Sequence, residues 1–162
     1  MKRFLCLLLC LCLFLPGCSG ELMKNPVTFY YPRRAYQYGA EDGVISSEQR
    51  EASGHADDLR YLLSLYLIGP SSDELVSPLP WGTRLLGVNR QDGVITLELT
   101  DTSFTMTDTE FTLACACLTM TTLSITGGDE VTITSGSRSV TMSRDSLTLI
   151  DDSTASTTEE TK

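Results

Sequence analysis

Histidine and tryptophan each occur once in this 162-residue chain, as His55 and Trp81, and its 12 basic residues are outnumbered by 21 acidic ones. A lone histidine, remote from the Cys-x-Cys at 115 to 117, falls short of the roughly four ligands of a closed metal site. The formal charge of −9 makes the chain a poor partner for nucleic acid or bare anionic lipid. Gly127-Gly128 and the Gly82 to Gly87 spacing lack a following Lys-Ser/Thr, so no phosphate loop is present, and no metal site or cofactor is expected. Of six cysteines, only Cys115 and Cys117 lie beyond residue 18. Residues two apart on a helix point about 200° away from each other and cannot bridge, so no disulfide framework exists and the fold must rest on its apolar core.

What is abundant comes first in the chain. "MKRFLCLLLCLCLFLPGC" has a charged start (Lys2, Arg3), an apolar run from Phe4 to Leu15 and a small residue, Gly17, before Cys18. Residues 1–17 read as a secretory signal peptide, too short in its apolar part for the ~20 residues of a membrane span. "LPGC" resembles the lipobox of bacterial lipoproteins, although Pro16 stands where a small or hydroxylated residue is usual. The resemblance implies that Cys18 is acylated and holds the chain to the membrane on its extracytoplasmic face. Without the leader the chain carries ten basic residues and a net charge of −11. Attachment must then come from acyl chains, at ~0.8 kcal/mol per buried CH₂.

Residues 18–26 form a short tether, 27–143 one domain, and 144–162, ending in "DDSTASTTEETK", an acidic Ser/Thr-rich tail with little to bury. "VTFYY" at 27 to 31 reads as a strand, followed by an irregular insert with a short strand around Val44 to Ser47. From Ala56 a helix is expected, with Leu59, Leu62, Leu63 and Tyr66 on one face, Asp57 and Asp58 in its first turn, and Gly69-Pro70 ending it. An Asp92-Gly93 turn pairs Leu86 with Leu99 and Val88 with Leu97. A Gly136-Ser137 turn of type II′ pairs Ile133 with Val140 and Val131 with Met142. Between the hairpins, Thr107 and Glu110 match a capping box opening a long helix with Phe111, Ala114, Cys115, Leu118, Thr122 and Ile125 on one side. That order gives an α+β domain, two helices on one face of a mostly antiparallel or mixed sheet.

Several of these pieces together resemble a known family. "LYLIGP" at 65 to 70, "SPLPWGTRLLGV" at 77 to 88, "GVITLELT" at 93 to 100, "VTFYYP" at 27 to 32 and "SEQRE" at 47 to 51 are similar to the GerMN domain of sporulation and germination lipoproteins, over roughly residues 27 to 135. Gly69, Pro70, Pro80, Gly82 and Thr83 carry the structural motif. The family's usual closing Val-x-Ile-x-Val-Asp-Gly is replaced by "VTITSGSRSV". The resemblance implies a small non-catalytic module that acts by holding other envelope proteins, with assembly into a homo-oligomer left open.

The residues themselves leave a second reading open, a lipoprotein binding a small ligand or glycan. Tyr30, Tyr31, Arg33, Arg34, Tyr36 and Tyr38 form the aromatic-rich patch that either kind of partner would use. Trp81 is expected to pack against the sheet edge or the helix end, making residues 67 to 88 a structural joint. Chemistry finds little footing: acidic pairs at 57-58, 73-74 and 129-130 sit at solvated element ends, and a cysteine in an apolar helix pattern has a raised, unreactive thiol.

Overall fold

β-branched and aromatic side chains favour the extended strand β1 (Pro26–Pro32), and β2 (Ile45–Glu51) runs antiparallel to it, Pro26 opposite Glu51 and Pro32 opposite Ile45. The computed structural model describes residues 23–35, 43–52 and 54–147. The leader, Cys18, Tyr36, Tyr38 and the tail from residue 148 lie outside them. β2 is longer than the short strand expected around Val44 to Ser47. Its sequence, "ISSEQRE", has no apolar alternation to betray it; pairing with β1 supplies what its own residues do not.

Helix α1 spans Leu59–Leu67 and buries Leu62, Leu63 and Tyr66. Asp58 is its N-cap, the carboxylate accepting from the Tyr61 N–H at 3.0 Å. Asp57 and Asp58 therefore precede the helix instead of lying in its first turn, because a short acidic side chain satisfies an orphan amide best from the cap. The helix ends as the sequence implies. Gly69 takes φ +108°, and its N–H donates to Tyr66 O at 3.0 Å.

The second sheet has the order β3 (Leu85–Gln91), β4 (Val94–Leu99), β5 (Glu130–Ser135), β6 (Arg138–Ser143). Asp92 and Gly93 both have positive φ, as a type I′ hairpin turn demands. Val88 pairs with Leu97 as expected, but Leu85, not Leu86, stands opposite Leu99. A bulge between Leu85 and Gly87 leaves Leu86 as the extra residue, turned to solvent. The β5–β6 hairpin keeps the expected register, Ile133 with Val140 and Val131 with Met142. β4 and β5 are parallel, joined by the crossover helix α2 (Asp108–Thr126).

α2 opens with the expected capping box at Thr107 and Glu110 and closes at Gly127 in the left-handed conformation. Its buried residues, among them Phe111, Ala114, Cys115, Cys117, Leu118 and Thr121, occupy more than one face, for the helix packs against β1 as well as β5 and β6. This double burial explains its threonines. Thr121 Oγ1 accepts from the Tyr30 N–H, and Ser124 Oγ donates to Thr28 O, both at 2.9 Å. These hydroxyls occupy the edge of β1 that β2 leaves open, where bare backbone would otherwise be unpaired. In the core Tyr31 and Tyr66 stack at 4.6 Å, and Tyr31 Oη donates to Tyr66 O. Among the described residues the domain is α+β, with two α-helices and six strands divided between two sheets.

Candidate functional site

Two of the motif segments meet at the end of α1. Arg50, on β2, donates to Gly69 O and reaches Leu65 O at 3.5 Å. It also pairs with Glu48 at 2.6 Å. The Glu48 carboxylate accepts the N–H groups of Ser71 and Ser72 at 3.0 Å. Alternate residues of a strand share a face, so the Glu-x-Arg spacing aims both side chains at the Gly69-Pro70 corner. The acid neutralises the amides and the guanidinium the carbonyls, which fixes how the chain leaves α1. The Arg50 guanidinium and the Glu48 carboxylate are both engaged with the backbone of this corner.

From that corner the chain is bridged to β1, Val76 N–H donating to Pro32 O at 3.0 Å, and reaches the second motif. The Thr83 N–H and Oγ1 both bond to Pro80 O, at 3.1 and 2.8 Å. With Gly82 at φ +88° this is a type II turn, whose third position requires a positive φ, hence Pro-x-Gly-Thr. The turn carries Trp81 fully into solvent, at 102% relative exposure. The expectation that Trp81 packs against the sheet or helix is therefore overturned. Its neighbour Leu79 takes the buried place instead, and a turn closed by its own hydrogen bonds needs no anchoring side chain.

Beside the turn lies an open groove of about 350 Å³. Pro32 and the segment Val76 to Pro80 line one wall, and Thr105, Met106, Glu110 and Leu113, at the start of α2, line the other. Phe104, next to Thr105, is also exposed, at 95%. Each wall thus ends within one residue of a solvent-facing aromatic ring. The second wall is held from below by Arg138, which donates to Thr102 Oγ1 at 2.9 Å and to Met106 O at 3.3 Å and lies 4.2 Å from the Phe111 ring centre. Thr102 in turn is bound to Ser135. Of the polar groups facing the groove, Ser77 Oγ donates to Leu79 O, and one oxygen of the Glu110 carboxylate, Oε2, accepts from Thr107 N–H and Oγ1. Those bonds, the backbone one foremost, hold the Glu110 carboxyl below its ordinary pKa.

The patch expected at Tyr30, Tyr31, Arg33 and Arg34 is divided. Tyr31 is removed from any surface, since its ring lies wholly in the core against Tyr66. Tyr30 is half-buried and Arg34 exposed, its Nε bound to Asp73 O. Cys115 and Cys117 are buried free thiols whose pKa burial pushes up to about 12. His55 is exposed and stacked on Tyr61. Phe104, Met106 and Arg138 escaped the sequence reading: Phe104 stands in a polar loop, out of phase with any element, and Arg138 has no local partner. The one visible signal was the density of prolines around the sole tryptophan in "VSPLPWG".

Comparison with known proteins bears on the whole arrangement. No curated protein matches. Tandem GerMN domains of the sporulation protein GerM from Bacillus subtilis share the fold, with 18% identity and a TM-score of 0.50 over 70% of this chain, which spans 39% of that one. A structure of a candidate lipoprotein from Clostridium perfringens aligns over 74% of this chain and 87% of its own, at 16% identity and a TM-score of 0.47. The family described as "Germane: Sporulation and spore germination" matches residues 28–141, from β1 into β6 and across both motif turns. The chain belongs to that family, and its domain is of the GerMN type.

Proposed function

We propose that this chain is a lipid-anchored, extracytoplasmic GerMN module that serves as a non-catalytic protein-binding unit of the cell envelope, in sporulation or germination assemblies. The anchor rests on "LPGC" and Cys18. The binding role rests on one observation above the others: the family turn that closes on Pro80 and Thr83 holds an aromatic ring in water, one residue along the chain from Pro80, which lines an open groove. A buried hydrophobe would be the ordinary use of such a ring, and an isolated tryptophan in full exposure on a fixed turn suits a partner's surface. The same Trp81 also suits stacking on a sugar, the mark of a glycan-binding lipoprotein. The lining favours a polypeptide, because Ser77 and Glu110 are already bonded within the fold and prolines and aliphatic carbons make up most of the rest.

Labelling cells with a fatty acid tests the anchor. The wild type is expected to incorporate label and Cys18→Ala to lose it; an unlabelled wild type would end the lipoprotein reading. A photo-crosslinking residue at position 81 in intact cells tests the binding role. Discrete protein adducts are expected, and none, or only carbohydrate adducts, would count against it.

A further inference from the structure

We infer that the outer edge of β2 is a self-association surface, on which β2 of a second copy of this chain pairs antiparallel about Gln49 and joins two β1–β2 ribbons into one four-stranded sheet. Neither Trp81 nor the groove takes part.

Hydrogen bonds at the two ends of the ribbon define that edge. Arg33 N–H donates to Val44 O at 2.9 Å, and Ala52 N–H to Asn25 O at 3.3 Å. With seven unshifted pairs between them, the even-numbered residues of β2 bond to β1, and Ile45, Ser47, Gln49 and Glu51 turn their N–H and C=O groups the other way. None of these backbone groups bonds to another described residue. Ser47, Gln49 and Glu51 are also exposed. The other edges are guarded. The far side of β1 is taken by Thr121 and Ser124 of α2 and by the Val76 N–H. β3 is bulged at Leu86, whose carbonyl Arg60 reaches, and on β6 the Ser146 hydroxyl holds both backbone groups of Ser143. β2 has no bulge, proline or lysine, the usual devices that stop an edge from adding a strand.

An unrelated strand could use the bare backbone; the side chains select a second copy. Antiparallel copies can bond when outward-facing residues lie opposite one another, which allows the pairing to centre on any residue in the middle of β2. Centred on Gln49, the run Ser47-Glu48-Gln49-Arg50-Glu51 is its own complement. Glu48 of each copy then faces Arg50 of the other, each Ser47 faces a Glu51, and the two Gln49 amides meet on the axis. Centring on Glu48 or on Arg50 sets like charges face to face, and centring on Ser47 sets both ions opposite neutral residues. Within each copy Glu48 and Arg50 already lie 2.6 Å apart, so the middle of the interface carries balanced charge. The remaining charges of β2, the two Glu51 carboxylates, end roughly 14 Å apart, where salt screens their repulsion.

Cysteine cross-linking in membranes of cells making the full chain tests both the pairing and its register. Two Gln49 Cα atoms on the axis would lie about 5.5 Å apart, within disulfide range, whereas two Ser47 or two Glu51 residues would be roughly 14 Å apart. Gln49→Cys is expected to give a disulfide-linked dimer under mild oxidation. Ser47→Cys and Glu51→Cys should each give none alone and should join to each other when made together. The wild type, whose Cys115 and Cys117 are buried, sets the background. Sedimentation of the purified full chain in detergent is the second readout. Ser47→Glu puts a like charge opposite Glu51 and should weaken the dimer about fivefold, and adding Glu51→Lys should restore it. Both side chains are exposed, so the thermal melts should match the wild type. A monomer at every concentration, Gln49→Cys linking no better than Ser47→Cys, or a dimer indifferent to Ser47→Glu overturns the inference.

Discussion

Cys115 and Cys117 show at single-residue scale how burial converts a reactive group into filler. Their thiols are pushed from 9.0 to about 12 by loss of solvent, so the folded domain keeps protons that an unfolded chain would release. The stabilisation is complete below pH 9. As pH rises from 9 towards about 12 the unfolded state holds fewer protons than the folded one, and stability falls by ~1.4 kcal/mol per unit for each thiol. Tyr31 and Tyr66, raised by burial in the same way, add a loss of the same sign at higher pH. Urea midpoints should therefore drop steeply above pH 9, and Cys115→Ala with Cys117→Ala should flatten part of that slope; a profile level up to pH 11 would contradict the burial. Cys115→Ser should cost ~1–3 kcal/mol at neutral pH by placing a hydroxyl where a thiol makes no strong bond, and native-state thiol labelling of the wild type should be slow.

Among the elements, α1, α2 and both hairpins were legible because each announces itself locally: an apolar period of 3.6, a capping box, a turn dipeptide between alternating strands. β2 was less so, since its polar residues acquire strand form only from β1. The bulge at Leu86 could not be read either, because Leu85 and Leu86 fit the apolar alternation equally and the choice is made by the chain's approach from the Pro80 turn. Nor did the threonines of α2 look useful in isolation, where they only lower helix propensity. In the fold Thr121 gives the Tyr30 N–H its partner. Thr121→Val keeps shape and removes that acceptor, so it should lower stability by ~1–3 kcal/mol in denaturant titrations. A neutral result would mean that the β1 edge is satisfied by some other route. The Gly-Pro corner gives a matched case: Gly69→Ala forces a side chain to φ +108° and should cost about 1 kcal/mol. Gly136→Ala should cost more. There the new Cβ would lie 2.5 Å from the Asp101 carboxylate as well as at positive φ.

Taken as a whole, the molecule separates what holds it together from what it displays. The motif residues Gly69, Gly82 and Thr83 belong to the first group, Gly69 held by Arg50 and its partner Glu48, and Gly82 and Thr83 by the turn that closes on Pro80. Trp81 belongs to the second. Sequence alone assigned it to the first, reasoning that a lone large ring among prolines seeks cover, and nothing local distinguishes that case from a turn that satisfies its own backbone and leaves the ring outside. Substitution separates the two. Trp81→Ala removes no buried contact and should shift the melt by no more than ~0.5 kcal/mol. Leu79→Ala, two residues earlier and 5% exposed, empties a core position and should cost ~2–4 kcal/mol. Parallel thermal melts of the two variants decide the matter. If Trp81→Ala melts as early as Leu79→Ala, the ring is a structural anchor after all, and the groove loses the residue around which its binding role is built.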